Sequence, residues 1–91
     1  MYLHLGQTTV VTYNDIIGIF DLDTSTVSKS TRDYLSLSEK NGEVVNVSYD
    51  LPKSFIVCRD YSGKRKKIVY ISPISSATLL KRVSNTVTYS F

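Results

Sequence analysis

Among the 91 residues, the side chains able to do chemistry are few in kind and widely spread. The one histidine, His4, stands in the alternating run Tyr2-Leu3-His4-Leu5, a pattern that predicts a solvent-facing strand position rather than a general base. The one cysteine, Cys58, closes the run Phe55-Ile56-Val57-Cys58 and is expected to face a core. It has no second cysteine to pair with, and His4 is too remote in sequence to mark it as an activated nucleophile. Together these two cannot supply the ligands zinc needs, and no Asp/Glu spacing matches a calcium loop, so no metal or other cofactor is expected. Asp21 and Asp23 share one side if a strand runs through them, yet an approach to a helix N-terminus explains them equally well. With 22 Ser and Thr residues no hydroxyl stands out, and no pair of glycines has the spacing of a phosphate-cradling loop. The sequence therefore predicts a protein that is not an enzyme.

The remaining chemistry is electrostatic. Net charge is +3, but residues 1–52 carry three basic against seven acidic side chains, and residues 53–91 carry eight basic against Asp60 alone. Such a split suits either a face for an anionic polymer or complementary surfaces that dock head to tail between subunits. The strongest local signal is Lys64-Arg65-Lys66-Lys67. In a hairpin beginning after Gly63, alternation sends Arg65 and Lys67 to one face and Lys64 and Lys66 to the other, a positive ridge able to grip phosphates without reading bases. The same run also suits a strand edge protected from aggregation by lysines. Lys53, Arg59, Lys81 and Arg82 tilt the balance toward binding, and repetition around an oligomer would multiply weak contacts.

These residues need a scaffold. A chain this short makes a single domain, residues 1–91, that buries roughly 60 to 65% of its unfolded surface, so self-association is expected. The apolar runs are too short to span a membrane, and Met1 leads into YLHL without a basic segment, so a cytoplasmic protein is expected. Tyr2 to Leu5 and Thr8 to Thr12 are spaced as a hairpin around Gly6-Gln7. Ile16 to Phe20 is apolar on both faces and reads as a central strand, with Gly18 marking a bulge or a close backbone approach. Thr24 to Lys40 lacks Gly and Pro and reads as a first helix, with Val27, Thr31, Tyr34, Leu35 and Leu37 as its inner stripe. Val44 to Tyr49, Ser54 to Arg59 and Lys66 to Ser72 then form an antiparallel meander. Ser72 is a good N-cap, with Pro73 at the first position of a second helix that closes with Lys81 and Arg82. Those cations either offset the helix dipole or point outward toward something negative. Val87 to Phe91 alternates like a strand, but could equally extend the helix or dock on a neighbour.

Four blocks in register now resemble a known family: YLHLG at Tyr2 to Gly6, NDIIGIF at Asn14 to Phe20, PKSFIV at Pro52 to Val57, and YISPISSATLLKR at Tyr70 to Arg82. They are similar to RemA and RemB, small bacterial regulators of the extracellular matrix of biofilms, and most of all to RemB. The resemblance implies an α+β fold: a small, strongly bent antiparallel sheet of five to six strands with two helices. It also implies cytoplasmic subunits that assemble into rings, with double-stranded DNA bending around a basic outer surface to activate matrix genes. Two places depart from the pattern. RemA-like proteins carry an arginine before the Ile-Ile pair of the third strand, where this chain has Asp15. They carry a basic pair after the tyrosine matching Tyr49, where this chain has Asp50-Leu51-Pro52-Lys53. Phosphate contacts are therefore expected from Lys53, Lys64, Arg65, Lys66 and Lys67. Two functional expectations result: an oligomeric DNA-binding regulator, or an assembly subunit of the same family that has exchanged DNA for a protein partner.

Overall fold

A computed structural model describes residues 1–22 and 27–88. In chain order the elements are β1 (Tyr2–Gly6), β2 (Thr9–Thr12), a single 3-10 turn (Tyr13–Asp15), β3 (Ile16–Asp21), α1 (Lys29–Lys40), β4 (Val44–Asn46), β5 (Ser54–Arg59), β6 (Lys67–Ser72) and α2 (Ser76–Thr88). Six strands and two helices among the described residues place the chain in the α+β class. No helix among the described residues is long and apolar enough to cross a membrane.

The segment Ser54-Phe55-Ile56-Val57-Cys58 has no polar alternation, so a strand built from it must be covered on both faces. β5 is that strand, buried from Ser54 through Cys58. On one face Ile56 and Cys58 pack with Leu3, Leu5 and Val11 of the β1–β2 hairpin and with Leu79 of α2. On the other, Phe55 and Val57 pack with Val69 and Leu22, and Leu35 of α1 closes over them. The domain is thus three layers: α1, a four-stranded sheet, and a layer made of the hairpin and α2. Gly6 at φ +120° and Gln7 at φ 49° turn the hairpin, left-handed geometry that Gly6 accepts without strain.

The single antiparallel sheet expected from the sequence is in fact two sheets, and the meander is only partly right. The larger sheet has the order β3-β5-β6-β4. β5 pairs antiparallel with β3 and β6, but β4 lies parallel to β6 at the far edge. β5 has both its edges occupied, by β3 and β6, and β4 joins at the outer edge of β6. There the Val69 N–H donates to Glu43 O (2.8 Å) and the Val47 N–H donates to Ile71 O (3.0 Å). The chain then crosses to β5 through an extended segment, whose Lys53 N–H donates to Ser72 O at 2.8 Å.

Both helices start later than the sequence suggests. For α1 the N-cap is Ser28, whose hydroxyl accepts the Thr31 N–H at 3.1 Å. Val27 and Ser28 lie outside the helix, and the predicted start at Thr24 lies outside the described residues. Thr31, Leu35 and Ser38 turn inward and the Tyr34 ring lies against Phe55 with centroids 6.2 Å apart, but Leu37, expected in the same stripe, is 60% exposed. For α2 the cap is Ser75, which accepts the Thr78 N–H at 3.2 Å, because Ser72 is occupied elsewhere. Ser72 ends β6, and its buried hydroxyl donates to Leu5 O (2.6 Å) while accepting the Ile74 N–H (3.1 Å). α2 continues to Thr88, which puts Lys81 and Arg82 in mid-helix rather than in its last turn. Residues 89–91 lie outside the described residues.

Gly18 behaves as its position suggests. The β3–β5 register shifts between Ile16 and Gly18, and a Cβ at Gly18 would come within 2.6 Å of the Phe20 ring. That ring lies back over Gly18 and stacks on Phe55 with centroids 4.9 Å apart.

Replacing Ser72 by Ala removes a donor and an acceptor at a fully buried point and leaves Leu5 O without that bond. It is expected to lower stability by about 1–3 kcal/mol, roughly 10 °C in Tm, without altering the far-ultraviolet circular dichroism at low temperature.

Candidate nucleic-acid interface

The basic run sits on the turn between β5 and β6, and that turn is folded by its own polar residues. Asp60 Oδ1 accepts from the Ser62 N–H (2.9 Å) and from the Ser62 hydroxyl (2.6 Å), an Asx-type turn. These bonds, with the Arg65 guanidinium 3.9 Å from Oδ2, hold the Asp60 carboxyl below the usual carboxylate range. Gly63 at φ +78° completes the reversal. Arg65 then reaches across the sheet, where its Nε donates to Gly42 O at 2.8 Å.

The run therefore divides as alternation predicts, although Lys64, Arg65 and Lys66 belong to the turn and β6 begins at Lys67. Lys64 and Lys66 are exposed. Lys67 points the other way, its Nζ 2.7 Å from Oε1 of buried Glu43 and 5.1 Å from the centre of the Tyr34 ring. Its charge is thus matched internally by Glu43. Arg59 is at the same end of the sheet and donates to the Tyr61 hydroxyl at 3.3 Å. Lys53 is exposed but lies at the opposite end of β5, six residues or roughly 20 Å of strand away. The structure thus gathers Arg59, Lys64, Arg65 and Lys66 at one end and leaves Lys53 apart. Arg82 lies on α2 and donates to His4 O at 3.2 Å.

The two departures from the family pattern are also located. Asp15 ends the 3-10 turn before β3, half buried. Its charge adds to burial in pushing the Cys58 thiol up to about 11, burial being the larger cause. In the crossing from β4 to β5, Tyr49 is fully exposed and Leu51 is 72% exposed. Neither exposure could be read from the sequence, where both pass for ordinary apolar turn residues. The role of Asp60 had a readable signal, since Asp-x-Ser-Gly is a turn-forming sequence.

His4 is exposed and donates from Nε2 to Gln7 O at 2.7 Å. No group of three or more His, Cys, Asp or Glu side chains comes together among the described residues in a way that could hold a metal. What the fold presents is a small α+β domain with a folded cationic turn exposed at one end of its larger sheet.

No family model matches the chain. It is 38% identical over 82 residues to Extracellular matrix regulatory protein B of Bacillus subtilis (strain 168), an alignment covering 90% of this chain and 89% of that protein. The chain belongs to the family of that extracellular matrix regulator.

Two measurements check the roles assigned here. Glu43→Ala strands the partly buried Lys67 charge and is expected to cost about 2–3 kcal/mol in urea unfolding, while the double variant Glu43→Ala/Lys67→Met recovers most of that loss. Cys58, buried and protonated, is expected to react with a thiol reagent at pH 8 far more slowly in the native protein than in denaturant.

Proposed function

We propose that this protein is a non-catalytic, oligomeric DNA-binding regulator acting in the cytoplasm, controlling extracellular matrix genes as its relative's name describes. The observation that carries this reading is the cationic end of the β5–β6 turn. Lys64 and Lys66 project into solvent from a turn fixed by Asp60, Ser62 and Arg65, so two positive charges are held in place by residues that do not themselves need the ligand. Preordering of this kind lowers the entropy lost on gripping a phosphate backbone. Lys64 and Lys66 are the principal phosphate contacts. Arg65 sets the turn and lends its remaining N–H groups, Lys67 supports the site through Glu43, and Lys53 is a separate contact at the far end of the sheet. Each subunit offers few contacts, so affinity comes from repeating them around an assembly.

Tyr49 and Leu51 support a second reading, in which the family's surface has been retuned for a protein partner. Tyr49 matches a tyrosine of the RemA-like pattern, but Leu51 lies in the turn where that pattern has a basic pair, and Asp15 stands where it has an arginine. An exposed tyrosine beside a leucine is a surface that docks on protein rather than on phosphate.

Fluorescence anisotropy of an AT-rich duplex of about 40 base pairs, titrated at several salt concentrations, separates the two. The DNA reading expects affinity that falls steeply with salt, and a Lys64→Glu/Lys66→Glu variant whose salt slope is smaller by about 2 and whose affinity drops on the order of tenfold or more. Asp15→Arg is expected to tighten binding. Absence of binding at low salt by folded protein would overturn the DNA reading in favour of a protein partner.

A further inference from the structure

The β5–β6 turn carries an aromatic ring as well as cations. Arg59-Asp60-Tyr61-Ser62-Gly63-Lys64 interleaves a tyrosine with basic residues, which phosphate contacts alone do not require. Asp60 folds its carboxylate under the turn, where Oδ1 accepts from the Ser62 N–H and hydroxyl, and its side chain is only 6% exposed. Tyr61 lies between these two bonded residues, at the tip of the small loop they close, and is 72% exposed. The Arg59 guanidinium donates to its hydroxyl at 3.3 Å. A bond to a phenol oxygen lies at the edge of the ring, so it steadies the side chain without covering either face.

Two other tyrosines among the described residues are comparably open, Tyr2 and Tyr49. Tyr2 stands between Met1 and Leu3, and Tyr49 is followed by Asp50, whose charge repels phosphate. The charge around Tyr61 is positive. Arg59, Lys64 and Lys66 are exposed in the same turn, and its one acid, Asp60, is bonded to Ser62.

We infer that Tyr61 is a stacking contact for an unpaired base, so that the turn prefers DNA with a single-stranded or bulged position to a fully paired duplex. The inference deepens the DNA reading proposed above and rests on it. Lys64 and Lys66 keep the phosphate contacts assigned to them, and Arg59 positions the ring. In a paired duplex the faces of each base are covered by its neighbours, whereas an unpaired base offers a free face. Every base has such a face, so the contact selects for unpairing and not for sequence. Stacking is uncharged, so it adds affinity without adding to the salt dependence that the lysines produce.

The test is fluorescence anisotropy of the full chain with two AT-rich duplexes of about 40 base pairs, one fully paired and one with a single unpaired adenine at its centre, at several salt concentrations. Wild type is expected to bind the bulged duplex roughly tenfold more tightly. Tyr61→Ala is expected to lose that preference while keeping wild-type affinity for the paired duplex and the wild-type salt slope, unlike the lysine variant. Tyr61→Phe keeps the ring without the Arg59 bond and is expected to retain most of the preference. Failure of folded wild type to bind either duplex at low salt would overturn the DNA reading and the stacking role with it. Equal affinity of wild type for the two duplexes, or a preference that survives in Tyr61→Ala, would overturn the stacking role alone. An equal loss on both duplexes in Tyr61→Ala would also overturn it, by making Tyr61 a support of the turn.

Discussion

The burial of β5 on both faces is the constraint on which the rest of this molecule depends. A strand reading Ser-Phe-Ile-Val-Cys cannot lie on a surface, and ninety-one residues supply little material to cover it twice. The chain solves this by splitting its cover. The first strands fold into a hairpin that joins α2 on the Ile56 and Cys58 face, while α1, with Leu22 and Val27 before it, serves the Phe55 and Val57 face. Among the described residues that second cover is incomplete, because a single helix of 12 residues shields the sheet toward β4 and leaves a cleft beside Ile17 and Phe20 of β3. The apolar cleft beside β3 and the domain's expected need for a neighbour have this common origin.

Function is written on the parts of the fold that this constraint leaves free. The turn between β5 and β6 lies beyond the buried stretch, and there the sequence changes abruptly from apolar to charged. Asp60 is the residue that makes the charge usable, since without a folded turn four consecutive cations would repel one another into an extended flap. With it, two cations turn inward onto Gly42 and Glu43 and two remain outside. The separation of roles within a four-residue run follows from strand alternation reaching one step into the turn.

Sequence reading recovered the α+β class, the hairpin at Gly6-Gln7, the bulge at Gly18 and the buried thiol, all of which rest on local chemistry. It misplaced both helix starts for a shared reason. Ser and Thr are plentiful here, so several residues could serve as caps, and only tertiary contacts decide among them. Ser72 looks like a cap until Leu5 O, from the other end of the chain, claims its hydroxyl. The parallel placement of β4 was likewise beyond local pattern, because it is set by pairing with β6, a strand that comes later in the chain than β5. In the candidate site the cations themselves were legible by type, but their separation was not. Lys53 and Lys64 look like one cluster in sequence, yet β5 carries them to opposite ends of the sheet.

Two serines buried beneath the chain reversal after β6 bear on how the domain comes apart. Ser54 donates to Ile74 O and Ser72 donates to Leu5 O, so the middle strands grip both the lead-in to α2 and the first hairpin through hydroxyls sealed from water. Neither outer piece can peel away without breaking such a bond and baring the apolar cluster of Leu5, Ile56 and Leu79 beside it. Local fraying at that face is thereby suppressed, and loss of structure becomes a single cooperative event. Cleavage at that face would then report the global folding equilibrium rather than local opening.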